Sequence, residues 1–224
     1  MRYFLHLSII PFLTCTLPQA LAPEHGVFIK AGTSYSNADI ERVIDIDNSY
    51  STIESRQTAL SGFTGSLAAG YSYKINSNWG ASVSVFIEPN SMNVTESITS
   101  GGVTSESTVI ELSRTINTLA TLDYAISPEI ALAFSVGYSN AELSINYIES
   151  AKNFKIVSNQ SISGFVFGPS ISAQVNEQYI LDLSAQLRSY EAFNVDGTGT
   201  SSYIANLSTK PQVSSMSLTI THKI

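Results

Sequence analysis

Charge is what this sequence has least of. Only 13% of its 224 residues are Asp, Glu, Lys or Arg, about half the share usual in a soluble domain. Cysteine occurs once, as Cys15 near the N-terminus, which excludes a small secreted fold stapled by disulfides. Histidine occurs three times, as His6, His25 and His222, with no partner at metal-ligand spacing. No stretch beyond the N-terminus comes near 18 consecutive apolar residues, so no membrane-spanning helix is expected. The net charge of −7 argues against a nucleic-acid partner.

What the chain does have is a leader and a strand pattern. The opening MRYFLHLSIIPFLTCTLPQALA carries Arg2, an apolar stretch from Tyr3 to Leu13, and the small-x-small triplet Ala20-Leu21-Ala22. These are the parts of a secretory signal, which places cleavage after Ala20 or Ala22. Residues 1–22 are expected to be removed, leaving 23–224 as one domain without cysteine. Loss of Arg2 takes the net charge from −7 to −8.

The mature sequence alternates in period two, the signature of β-strands. In GVFIKAGTSYS (26–36), Val27, Ile29, Ala31, Thr33 and Tyr35 share a parity opposite Lys30, Gly32 and Ser34. The same rhythm runs through 62–75, 79–88, 107–126, 130–139, 161–175, 179–190 and 213–224, which makes eight segments. In 107–126 the apolar parity is Ile110, Leu112, Ile116, Ala120, Leu122 and Tyr124, against Glu111, Asn117, Thr121 and Asp123.

Connections alternate in length. Asn76-Ser77-Asn78, Ser127-Pro128-Glu129 and Asn176-Glu177-Gln178 are short and turn-forming. The stretches 37–61, 89–106, 140–159 and 191–212 read as four long loops. An up-and-down meander then puts every turn on one rim and every long loop on the other, as in transmembrane β-barrels. Beside the turns stand Tyr73, Trp79, Tyr124 and Tyr179, an aromatic girdle at one height.

One parity is large and apolar, while the other is Ser, Thr, Gly, Ala and a few ions. Small polar side chains suit the narrow inside of eight strands, so the apolar parity faces lipid. The fold expected is therefore all-β: an eight-stranded antiparallel up-and-down transmembrane β-barrel with short periplasmic turns and four long extracellular loops. A soluble exported barrel would instead point its large apolar residues inward.

GVFIKAGTSYS, the eight segments and the strand VSSMSLTITHKI at the end resemble the small outer-membrane barrels of the OmpA transmembrane domain, OmpX/Ail and opacity-protein type. The resemblance covers about 26 to 224. It implies location in the bacterial outer membrane, contact with its lipids and lipopolysaccharide, insertion by the barrel-assembly machinery, and no cofactor. It also implies a structural role or a surface adhesin or antigen role, with any host or surface ligand held by the loops. Outer-membrane hydrolases of this size use His/Ser arrangements that this chain does not match, so no catalytic residue, metal site or enzymatic activity is expected.

Inside the barrel the inward ions are Lys30, Asp123, Asp182 and Lys223 in the lower half, with Glu111 and Arg188 higher. Paired and hydrogen-bonded, they would form a lumen network that plugs the barrel. The alternative is a small porin, a narrow hydrated channel lined by the same groups. Arg114, outward and near the outer rim, is placed to meet lipopolysaccharide phosphates or to snorkel into solvent.

Overall fold

Three short turns organise the chain, and each is closed by its own first side chain. Asn76 Oδ1 accepts from the backbone N–H of Asn78 and Trp79, both at 2.9 Å. Asn176 Oδ1 does the same for Gln178 and Tyr179, again at 2.9 Å. Ser127 Oγ accepts from Glu129 and Ile130 at 3.3 and 3.1 Å. Asn and Ser imitate a backbone carbonyl in this way, so each chain reversal is fixed locally by sequence.

The computed structural model describes residues 25–47, 52–89, 92–100, 103–149, 154–199 and 204–224. The expected leader, 1–22, lies outside them. The described residues form ten strands: β1 (Gly26–Asp47), β2 (Thr52–Lys74), β3 (Trp79–Glu88), β4 (Met92–Ser100) and β5 (Val103–Ala125), then β6 (Ile130–Glu149), β7 (Phe154–Gln174), β8 (Tyr179–Tyr190), β9 (Phe193–Gly199) and β10 (Ile204–Lys223). All pairings are antiparallel, and β1 closes on β10 from Phe28↔Lys223 to Asp47↔Ile204. Since β3 and β4 lie along one stave and β8 and β9 along another, the ring has eight staves. Closure leaves no free sheet edge at membrane depth, where unpaired backbone would cost several kcal/mol per group.

Most of what reads as long loop in the sequence is strand. β1 and β2 stay paired out to Ile46↔Thr52, and β6 and β7 out to Glu149↔Phe154. Only about 9–11 residues of tilted strand are needed to cross a bilayer, and β6 has 20. The barrel therefore continues past the membrane as a stalk. The run from Ser139 to Glu149 would stand roughly 25–30 Å tall at usual strand rise and tilt.

The two faces exchange character where the stalk begins. Below, the outer surface is a continuous apolar belt: Phe134, Val136, Tyr138, Phe165 and Leu187 are all exposed. The next outward residues up β1, β2, β6, β7, β8 and β10 are Asn37, Ser61, Asn140, Ser163, Ser189 and Ser214. Inside, the order reverses. Ser34, Ser66, Ser172 and Thr221 are buried in the lower lumen, whereas Ile40, Leu60, Leu112, Leu143, Ile145 and Ile162 pack together in the stalk. Polar-in and apolar-out suits lipid around a barrel, and apolar-in with polar-out suits water around one.

One residue re-aims β5. Arg114 has a positive φ of 36°, and the β5–β6 register slips between Ser113 and Ile116. This is a β-bulge, an extra residue that flips the parity of everything above it. Ile110 and Leu112, expected to face lipid, consequently lie in the lumen at 0% and 1% exposure.

Glycines let the tightly coiled strands approach. A Cβ on the inward-facing Gly168 would sit 1.8 Å from the Ala185 carbonyl oxygen, and one on Gly137 would sit 1.9 Å from that of Thr118. Backbone cannot yield as a side-chain tip would. Gly168→Val is expected to cost about 1–3 kcal/mol by overpacking, read as a lower urea midpoint for unfolding from lipid vesicles. An unchanged midpoint would show that the strands separate freely at this point.

Candidate functional site in the barrel lumen

The lumen has three levels. The lowest is a polar vestibule of about 130 Å³ among Lys30, Ser84, Thr121, Asp123, Asp182 and Lys223. Asp182 on β8 accepts hydrogen bonds from Ser172 and Thr221 and lies 3.3 Å from Lys30 Nζ. Lys30 also sits over the Phe28 ring, 5.3 Å from its centroid. Three donors around one carboxylate satisfy a group that would be costly to bury alone. Asp123 lines the same cavity, yet makes no hydrogen bond or close ion pair among the described residues. Thr121 and Ser135, just above it, share a hydrogen bond of 2.8 Å.

An apolar layer roofs the vestibule. Ala68, Phe86 and Leu119 line its upper end and pack with Val166 into a buried cluster.

The middle level holds a bridge across the bore. Arg188 Nη1 on β8 meets Glu88 Oε2 on β3 at 2.7 Å, with side-chain exposures of 1% and 4%. Three staves separate β3 from β8 in either direction round the ring, so this pair spans the diameter. Gln186 Oε1 accepts from Arg188 at 3.3 Å, and the Tyr190 hydroxyl bonds Ser139 at 2.9 Å. The remaining Glu88 oxygen and both amide atoms of Asn117 are buried without a hydrogen-bond partner among the described residues.

The stalk core forms the third level, and an ionic group stitches one of its seams. Among the described residues no ladder joins β4 to β2. Glu96 on β4 instead reaches Arg42 on β1 at 2.6 Å and the Thr58 hydroxyl on β2 at 2.8 Å. Arg42 also donates to Thr58, and its side chain is only 2% exposed.

The six ions singled out in the sequence do not form one network. Lys30, Asp123, Asp182 and Lys223 come together in the vestibule. Arg188 lies apart, above the apolar roof, and its partner is Glu88. Glu111, expected in the lumen, is on the outer face, opposite Asn93 and Ser144. The Arg114 bulge is the reason, since it puts the neighbours Ile110 and Leu112 inside. Glu88 was readable in advance: the inward parity Gly80, Ser82, Ser84 runs on through Phe86 to Glu88. Arg42 had no such signal, because its segment reads as a polar loop.

The aromatic residues beside the turns face outward. Tyr73, Trp79, Tyr124 and Tyr179 are 56%, 39%, 40% and 40% exposed. Trp79 packs on Tyr124 with ring centroids 4.8 Å apart, and Tyr179 on His222 at 4.9 Å. Outward at the upper limit of the belt, Arg114 pairs with Glu142. Among the described residues no group of His, Cys, Asp and Glu is arranged to hold a metal ion.

No family model and no curated protein matches the sequence. Solved structures do match. The outer membrane protein OprG from Pseudomonas aeruginosa aligns over 92% of this chain and 100% of its own, at 12% identity and a TM-score of 0.62. The fold is that of a small outer-membrane β-barrel. Two further structures align more loosely. The attachment invasion locus protein Ail of Yersinia pestis covers 90% of this chain and 100% of its own, at 12% identity and a TM-score of 0.41. The outer membrane protease OmpT from Escherichia coli covers 89% and 97%, at 8% identity and 0.45.

Proposed function

We propose that this chain is a bacterial outer-membrane protein whose barrel is closed and whose work is done at the surface. Its role is structural, or that of an adhesin or antigen, and it catalyses no reaction. The leader 1–22 would direct export, and residues 23–224 would be inserted by the barrel-assembly machinery. Lipids of the outer membrane and lipopolysaccharide would contact the apolar belt and its rim, with any host or surface ligand meeting the stalk.

The observation that carries this reading is the exchange of faces above the belt. An open pore needs a wet bore along its whole length. Here, among the described residues, Ile40, Leu60, Leu143 and Ile145 pack the stalk at no more than 1% exposure, which argues against a water-filled path through it. A packed core also makes the stalk rigid, and rigidity lowers the entropic cost of presenting a binding surface. The small-porin alternative would require this core to part.

Conductance decides between them. Mature protein refolded into a planar bilayer is expected to show no sustained single-channel current at physiological ionic strength. Steady openings in the wild-type protein would overturn the closed-barrel reading and favour the porin.

A further inference from the structure

We propose that the vestibule below the apolar roof is a binding site for small organic cations, namely short alkylammonium groups, with Asp123 as their counter-ion. Of the charged groups lining it, Lys30 and Asp182 neutralise each other at 3.3 Å, and Lys223 has an interaction of its own. Among the described residues Asp123 makes no hydrogen bond or close ion pair, and Lys30 acts on it only at longer range. Its carboxylate is therefore the charge in the cavity with room for direct contact with a ligand.

Polarity along β5 then sets the kind of cation. Leu119, Thr121 and Asp123 point into the lumen in succession, from the roof downward. Two residues of strand rise about 7 Å, so apolar roof, hydroxyl wall and carboxylate are spaced along one short axis. Phe86 faces the same roof. An ammonium at Asp123 could lay its alkyl chain against Leu119 and Phe86. A bare metal ion would find no use for that roof, and an alkyl carboxylate would meet Asp123 with like charge. The volume of about 130 Å³ suits a ligand of a few heavy atoms, since an engineered protein cavity of about 150 Å³ holds benzene.

The site rests on the proposed outer-membrane orientation only for which compartment supplies the ligand. Binding itself is a property of the folded barrel. It can be tested on isotope-labelled mature protein in micelles, titrated with n-butylammonium, n-butanol or butyrate while the backbone amides of Thr121, Asp123 and Ser135 are followed by NMR. Butylammonium is expected to saturate with an affinity on the order of millimolar, butanol to bind about tenfold more weakly, and butyrate not to bind. In Asp123→Asn, butylammonium should fall to the level of butanol. Equal binding of butyrate, undiminished binding by the folded Asp123→Asn barrel, or no saturable shift with butylammonium would each overturn the assignment. The comparison of three ligands on the wild-type protein stands even where the variant does not fold. A conducting wild-type barrel would refute the closed lumen and leave this site untouched.

Discussion

Glu88→Gln is expected to destabilise the barrel by about 3–5 kcal/mol, because it strands a buried guanidinium without its counter-charge. Arg188 is 2% exposed, and it also donates a long hydrogen bond to the neutral Gln186. Urea titration from vesicles, followed in both directions, measures the loss. The double variant Glu88→Met with Arg188→Leu should recover most of it, since an apolar pair of similar volume often replaces a buried ion pair at little or no cost. Glu111→Gln is the control. With its side chain on the outer face, it should stay within about 0.5 kcal/mol of wild type. A large effect at Glu111 and a small one at Glu88 would mean that the bulge at Arg114 has been misplaced.

The same variants separate two ideas of closure. If the transluminal ion pair were the seal, Glu88→Gln would conduct. The packed stalk makes the opposite outcome the expected one, a weakened barrel that still passes no current. Ile40, Leu60 and Leu143 lie in a different layer from the Glu88–Arg188 bridge, and losing the bridge does not remove them.

The membrane half of this fold was legible in the sequence because lipid enforces a simple rule. Every outward residue from Ile130 to Tyr138 is large and apolar, and the turns before and after carry Asn or Ser where the backbone needs an acceptor. The stalk was written as plainly, but in the other parity. After Tyr138 the apolar residues move from even to odd positions, to Ala141, Leu143, Ile145 and Tyr147, all of them buried. A change of parity without a change of strand means that the surroundings have changed from lipid to water. Polar composition hid this: Ser, Asn and Glu on the outer face make the stretch resemble a loop. Above Arg114, β5 could not have been read correctly by parity. Ile110, Leu112, Ile116, Ala120, Leu122 and Tyr124 keep even numbers on both sides of the bulge, and one left-handed residue reverses the direction of the first two. That residue is an arginine rather than the Gly or Asn that marks such a conformation. Glu111 was expected in the upper lumen with Arg188 on that account, while Glu88, in plain register with the lumen, is the residue that Arg188 meets.

Three substitutions on adjoining strands would locate the membrane boundary. Phe134 lies midway along the outward belt of β6 and is 50% exposed. Phe134→Arg is expected to cost about 2–4 kcal/mol, the penalty for a guanidinium near the bilayer midplane of a β-barrel. Val157 on β7 is more exposed still, at 63%, but it faces outward on the stalk opposite Asn146. Val157→Arg should therefore change stability by no more than about 0.5 kcal/mol. Leu143→Ala removes an inward side chain at 0% exposure and should cost about 2–5 kcal/mol, as cavity formation in a water-soluble core does. Exposure alone would rank Val157→Arg as worse than Phe134→Arg, and a lipid-facing stalk would make the two equal. Only a barrel that leaves the bilayer just above Tyr138 gives a severe, a silent and a severe effect in that order. An arginine at Val157 as harmful as one at Phe134 would place the stalk in lipid and remove the reason for its apolar core.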